Sequence, residues 1–439
     1  MEVTLSIHGS RVMLRRPDTF SRTYGLESVS LPGSTLRWEA DGALTGDFKL
    51  VNMRDGQVLC RFHNKVFSVA EVGSFEMIGT FSEELKDEIV VSGLAVLVMV
   101  QSLNLAGLKI SKIILGTMGF GSKDWQDWVL DEEESLNVIE HAYKRGINTW
   151  DTADVYSHGR SEEVVGKALK KFNIPRNRVV IMTKCFYGVD DEGKFPPIWQ
   201  SARNEGDFIN RVGLSRKHIF DAVDASVQRL GTYIDVLQIH RLDRDTPREE
   251  IMKALNDVIE SGKVRYIGAS SMAAWEFQTL QNIAARNGWH QFISMQNYHN
   301  LIAREEEREM IPYCLDSGVG LIPWSPMARG VLARPWGSRS TVRENTDGAL
   351  KVLIRNRETE ADKAIVDRVE ELAGKKGVSM AQIALAWSLT HQNECPIVGL
   401  HSAARVDEAV ASLKVQLSPE EIQYLEEPYV PKTIAPLER

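Results

Sequence analysis

The stretch INTWDTADVYSHGRSEEVVGKAL, residues 147–169, decides the fold. A mostly apolar run ends on Asp151, a tyrosine follows five residues later at Tyr156, and an amphipathic segment begins. Strand, polar loop and helix in series make one unit of a repeated β-α pattern. The same order recurs on both sides. Strand candidates lie at IILGT (113–117), INTWD (147–151), VVIMTK (179–184), DVLQIH (235–240), VRYIGA (264–269), FISMQ (292–296), GLIPW (320–324) and CPIVG (395–399). Helix patterns such as EEESLNVIEHAYKRG, SRKHIFDAVDASVQRLG and PREEIMKALNDVIESG lie between them, each closed by a glycine. Eight units predict an α/β fold, one (β/α)8 TIM barrel over residues 105–439.

Polar residues on these strands are concentrated at one end. Asp151, Lys184, His240, Ser270, Gln296 and Ser325 each fall at or just past the C-terminal end of an apolar run, where a barrel gathers its active site. An open doubly wound sheet also binds ligands at strand ends, but it carries a Gly-rich phosphate turn after its first strand. GTMGFGS (116–122) is not that turn. Tyr156 could donate a proton. Phenol ordinarily titrates near ~10, so work near neutrality calls for a cation that stabilises phenolate. Lys184, ending the next strand, can supply it, Asp151 can hold the ammonium, and His240 adds a hydrogen-bonding group for a substrate oxygen. Each of the four taken singly has a plain structural reading as a strand-end cap, an ion-pair partner or a satisfied polar side chain. Their joint placement on strands two, three and four favours chemistry. Asp154, His158 and His299 lack the spacing of a metal site, so no metal is expected. The acidic run EEEREM (305–310) reads as a solvated helix face.

A chain of 439 residues calls for more than one folding unit. Its 43% hydrophobic and 26% charged residues describe a globular protein, and a net charge of −8 argues against a nucleic-acid partner. Cys60, Cys185, Cys314 and Cys395 show no paired spacing, which suggests neither disulfides nor zinc. The first residues do not read as a secretory signal, so a cytoplasmic location is expected. IVVSGLAVLVMV (89–100) falls short of the ~20 residues of a membrane span and reads as a buried helix or strand. Ahead of the barrel, residues 1–104 form a small β-rich segment. LRWEADG, DFKLVNMRDGQVLCRF and VFSVAEVG alternate between Gly and Asp-Gly turns, as a β meander does. With the apolar run at its end, this segment loosely resembles the tubby-like or LURP-one-related fold, a β-barrel around one apolar helix.

DTADVY with Tyr156, MTK with Lys184, QIHRLD with His240, YIGASSM, SMQNYHNL and IPWSPMARGVLARP together resemble the aldo-keto reductase superfamily, from Leu108 to near the C-terminus. REEEREMIPYC and PWSPMARGVLARP are similar to its fungal secondary-metabolism members, versiconal hemiacetal acetate reductases and aryl-alcohol dehydrogenase-like enzymes among them. The resemblance implies hydride transfer between NADPH/NADP+ and a small-molecule carbonyl substrate, with Tyr156 as proton donor, Asp151 and Lys184 tuning it and His240 orienting the carbonyl. It places Gly116, Thr117, Met118 and Asp151 beside the cofactor, and Ser270, Ser271 and Gln296 on the nicotinamide carboxamide. Ser271 stands where many members have asparagine. Trp324 would stack on the nicotinamide, with Ser325, Met327 and Gly330 along the pyrophosphate. Gly399, His401, Ser402, Arg405 and Glu408 would take the adenosine end, Arg405 on the 2'-phosphate and Glu408 near adenine. Two other readings stay open: enolisation or dehydration at the same site, and a cofactor-binding regulatory subunit. The helix patterns specify no oligomeric state, and the substrate is set by loops such as 185–215 and 333–360.

Overall fold

The computed structural model describes residues 2–7, 10–15, 23–40, 48–64, 73–90, 107–190, 192 and 202–434. The chain divides into two units, Met1–Gly107 and Leu108–Arg439.

In the first unit, alternating side chains produce the expected antiparallel meander. Strands β1 (Glu2–Ile7), β2 (Ser10–Arg15), β3 (Thr23–Glu27), β4 (Thr35–Ala40), β5 (Phe48–Asn52), β6 (Val58–Asn64) and β7 (Gly73–Met77) pair in chain order. Leu26, Leu36, Trp38, Leu50 and Phe62 face one core, joined by Leu85 and Ile89 from helical residues 83–90. Glu88 is buried there without an unmet charge. It accepts from Ser28 Oγ at 3.0 Å, Val29 N at 3.0 Å and Ser30 N at 2.9 Å. Residues 91–100, most of the apolar run, lie outside the described residues. Among those described, no helix is long and apolar enough to cross a membrane.

The second unit is the barrel. Strands β8 (Ile114–Gly116), β9 (Thr149–Asp151), β10 (Val180–Cys185), β11 (Ile234–Ile239), β12 (Val264–Ser270), β13 (Phe292–Gln296), β14 (Gly320–Leu321) and β15 (Ile397–Gly399) are parallel neighbours in sequence, with β15 returning to β8. Cys395 N→Leu321 O and Ile397 N→Pro323 O, both 2.9 Å, close the ring between β14 and β15. The expected strand GLIPW survives as Gly320–Leu321 and isolated bridges from Trp324 to Tyr298 and to Ile397. Pro323 has no N–H to donate, so the ladder is interrupted there. Gly116 sits at the β8–β15 contact, where an added Cβ would come within 2.9 Å of Ile397 Cγ2.

Period-two alternation then sorts the interior by height. Val180, Met182 and Lys184 on β10 share one face, as do Val236 and Gln238 on β11. Ile114, Val180, Met182, Val236 and Ile322 form an apolar plug inside the barrel. Lys184 and Gln238 come next along the same faces, toward the C-terminal end. Outside runs the ring of helices. Glu132–Lys144 starts with a capping box between Asp131 and Glu134, and Arg216–Leu230 starts on the Ser215 cap and ends on left-handed Gly231, φ 67°. Arg160–Lys171 meets the end of Arg216–Leu230 at Gly166, where a Cβ would sit 2.5 Å from Leu230 O.

The four cysteines are free and buried. The acidic run is not a solvated helix face. Glu305–Glu307 forms a 3-10 turn in which Glu305 accepts from Tyr429 Oη at 2.5 Å and from Lys432 N at 2.8 Å, while Glu307 is held by Arg304 and His299. Hydrogen bonds from residues more than a hundred positions downstream hold Glu305, and the nearby Arg304 and His299 answer the charge of Glu307.

Candidate active site

Lys184 is the centre of the barrel mouth. Its side chain is 0% exposed, and an ammonium so buried must be partnered. Nζ donates to Asp151 Oδ2 at 2.6 Å, to Thr152 O at 2.8 Å and to Tyr156 Oη at 3.2 Å. Asp151 is fixed in turn through Oδ1, which accepts from Gln238 Nε2 at 2.8 Å and Gln296 Nε2 at 3.0 Å. Gln296 Nε2 also donates to Gln238 Oε1 at 2.8 Å. The ends of β9, β10, β11 and β13 are thereby tied into one network. Thr117 belongs to its support: its hydroxyl lies 3.1 Å from Asp151 O and 2.8 Å from Ser161 Oγ.

Burial and charge set the protonation states. Burial pulls Lys184 down, but Asp151 and then Tyr156 outweigh it, so the ammonium is held above its ordinary range. Burial pushes the Tyr156 phenol up, and Lys184 offsets this only in part. Lys184 acts in the expected direction, lowering the phenol, but burial outweighs it and Asp151 adds to the rise. Tyr156 remains a proton-bearing acid. Burial, then Lys184 and Arg241, hold His240 well below the usual imidazole range, so the ring is neutral. Its Nδ1 is buried with no hydrogen-bond partner among the described residues.

Aromatic rings wall this centre. The ring of Tyr156 lies 5.8 Å from His240 and 6.1 Å from Trp125, and Tyr187 lies 5.1 Å from His240. Met118 packs on the same cluster. Around the rim, Ser270 Oγ donates to Gln296 O at 2.8 Å, and Ser271, at φ 38°, accepts from Trp324 Nε1 at 3.1 Å. Trp324 is half-buried and stacked on Tyr298, centroids 4.4 Å apart and planes 23° apart. After Trp324 the backbone turns through left-handed Ser325 (φ 56°), Met327 and Gly330 (φ 99°). At the end of β15, Gly399 leads to His401 and to Ser402, which caps Ala403–Ser412 by accepting from Arg405 N at 3.3 Å. Arg405 and Glu408 are paired with each other at 2.5 Å, the guanidinium 60% exposed.

The sequence-predicted residues thus fall into one tetrad at the mouth, the ends of β8, β12 and β13 beside it, and two rim segments after β14 and β15. Several partners were missed. Gln238 could have been found as the polar residue that precedes His240 on the inner face of DVLQIH. Asp347 binds Arg343 at 2.9 Å, an i,i+4 pair, and also the more distant Arg329 at 2.8 Å and 2.6 Å. Burial, then Arg329, lower Arg343 to about 10, and burial, then Arg343 and Arg405, lower His401 to about 4. Arg343, from the segment after β14, and Arg405, after β15, thus both act on His401. Asp154, His158 and His299 do not form one ligand group: His158 Nδ1 accepts from Asp190 N at 2.9 Å, and His299 lies between Glu394 and Glu307.

A closed parallel barrel with an Asp-Tyr-Lys-His tetrad at its C-terminal mouth defines a class of redox enzyme. The chain belongs to the aldo/keto reductase family, which it matches over residues 112–429, and is an oxidoreductase acting on carbonyl or alcohol groups. It is 77% identical over 335 residues to versiconal hemiacetal acetate reductase of Aspergillus parasiticus, covering 76% of this chain and 98% of that protein. It is 55% identical over 338 residues to a putative aryl-alcohol dehydrogenase of Schizosaccharomyces pombe, covering 75% of this chain and 95% of the relative. With a putative aryl-alcohol dehydrogenase of Saccharomyces cerevisiae it shares 51% over 339 residues, 77% of this chain and 98% of the relative. Members of the family generally use NAD(P)H.

Proposed function

We propose that this chain reduces an aromatic aldehyde, ketone or hemiacetal-derived carbonyl with NADPH, in fungal secondary metabolism. The observation that carries the reading is the buried Lys184 ammonium in contact with both Asp151 and the Tyr156 hydroxyl. The rim fits a dinucleotide. Trp324 would stack on the nicotinamide, Ser270, Ser271 and the Gln296 carbonyl oxygen would meet its carboxamide, and Gly116, Thr117 and Met118 would line the ring's edge. Both amide hydrogens of Gln296 are already spent on Asp151 and Gln238. Ser325, Met327 and Gly330 would follow the pyrophosphate, with Gly399, His401, Ser402, Arg405 and Glu408 at the adenosine end.

The nicotinamide, when bound, supplies the hydride. His240, neutral and buried, orients the carbonyl oxygen beside Tyr156. Tyr156 gives its hydroxyl proton to that oxygen as negative charge develops on it, and Lys184 stabilises the phenolate left behind. Asp151 keeps the ammonium in place. The aromatic wall of Trp125 and Tyr187 favours flat substrates over aliphatic ones.

NADPH oxidation on adding aromatic aldehydes tests this reading. Tyr156→Phe should lower turnover ~100-fold or more with NADPH binding nearly unchanged. Arg405→Ala should weaken NADPH far more than NADH, since only the former carries the phosphate its guanidinium would meet. Substrate consumption without NADPH oxidation would point instead to enolisation or dehydration.

A further inference from the structure

Away from the tetrad, three side chains from two stretches of the chain converge: His299 after β13 and Glu307 in the 3-10 turn eight residues on, and His391 at the C-terminal cap of helix Met380–Thr390. Their nearest ligand-type atoms, one from each, all lie within 4.8 Å of one another. We propose that His299 Nε2, His391 Nε2 and Glu307 Oε1 form a binding site for a divalent transition ion of the zinc type.

The surroundings orient all three donors. His391 Nδ1 lies 3.0 Å from Trp387 O, a carbonyl that can only accept. The proton therefore sits on Nδ1, and in the neutral ring Nε2 is a lone pair. That lone pair faces Glu307 Oε1 at 4.0 Å. Two acceptors confronting each other gain from a cation between them. His299 is held in the same manner, Nδ1 3.0 Å from Glu394 Oε2. A carboxylate on the far nitrogen is the arrangement that fixes the tautomer of metal-binding imidazoles. Glu394 is itself fixed by Ser388 Oγ at 2.5 Å. Glu307 is oriented by Arg304, whose Nε and Nη2 donate to its two oxygens at 2.8 Å each.

In the conformation described, His299 Nε2 lies 3.0 Å from Glu307 Oε1 and donates to it. Metal binding replaces that hydrogen bond: the Nε2 proton leaves to solvent, and the lone pair and Oε1 both turn to the ion. Glu307 Oε2 keeps its bond to Arg304 Nη2. Ligands of one tetrahedral ion at ~2.1 Å stand roughly 3.4 Å apart. The observed 3.0 Å and 4.0 Å bracket that value, and ligand atoms of all three residues lie within 4.8 Å of one another. Two imidazoles and one carboxylate suit zinc, cobalt or nickel rather than calcium or magnesium, which prefer all-oxygen sets. His299 is fully buried, while His391 and Glu307 are 21% and 29% exposed, which leaves a side open for entry and for a water as fourth ligand. The ion would join residues 299, 307 and 391, next in sequence to Tyr298, whose ring backs Trp324. It is a structural brace, distinct from the tetrad.

The test uses the full-length chain stripped with EDTA and dialysed against Co2+ and Zn2+. One ion per chain, a visible tetrahedral Co2+ spectrum and a Zn2+-induced rise in Tm are expected. His391→Ala should weaken Co2+ binding ~100-fold and abolish the Tm rise. His391→Gln, which keeps a polar side chain, should do the same. His290→Ala, at an exposed histidine paired with Glu260, should change neither. Failure to retain an ion, or binding unaltered by both His391 substitutions, would overturn the proposal and leave the cluster as an ion-pair network.

Discussion

At Tyr156 burial outweighs the neighbouring lysine, and the direction of that balance has a measurable consequence. A phenol held above its ordinary range keeps its proton through neutrality, so the acid form persists until pH exceeds ~10. His240, held well below ~6.5, stays neutral over the same span. The pH profile of reductive kcat/KM should therefore show no break near 6.5 and decline only in strong alkali. A fall through pH 7 to 8 would mean that Lys184 dominates the phenol after all. Lys184→Met should leave Tyr156 buried without its cation, cutting the rate and moving the alkaline limb still higher. The tetrad was legible in the sequence because strand ends in a barrel converge by construction, so Asp151, Lys184 and His240 needed only correct strand assignment. The sign of the phenol's shift was not legible, since it depends on how deeply the folded chain buries the ring beside the lysine.

Among the elements, helix Arg160–Lys171 offers a contest between local preference and packing. Alanine at Gly166 would raise helix propensity by about 1 kcal/mol. Its Cβ, however, would stand 2.5 Å from Leu230 O and 2.8 Å from Arg229 O, backbone atoms that cannot swing aside. Overpacking of this kind costs ~1–3 kcal/mol, so Gly166→Ala should destabilise the barrel, read as a lower denaturant midpoint at unchanged slope. A stabilised variant would show that the two helices slide apart freely. The strands and helices of the barrel followed from periodicity and caps, but their lengths did not. β14 is cut short by Pro323, and the acidic turn at 305–307 is settled by the nearby Arg304 and His299 together with Tyr429 and Lys432, two partners that sequence proximity cannot reveal. The contact of Arg329 with Asp347, eighteen residues on, was hidden for the same reason.

At the scale of the whole chain, all eight barrel strands and the tetrad lie in Leu108–Arg439. We expect a chain beginning near Ser102 to fold and to reduce carbonyls at the full-length rate. A folded, cofactor-binding but inactive product would refute this division of labour. The barrel itself is unevenly sewn. Where Pro323 interrupts the ladder, the β14–β15 seam rests on a few backbone bonds, among them Cys395 N→Leu321 O and Ile397 N→Pro323 O. A cask with one loose stave needs a hoop. The residues assigned to the dinucleotide follow the two strands that flank this gap, Trp324 to Gly330 on one side and Gly399 to Glu408 on the other. The cofactor would then act as that hoop, and deuterium should enter the amides of Cys395 and Ile397 early in the free protein and much later once NADPH is bound. Equal uptake in both states would mean the seam holds by itself.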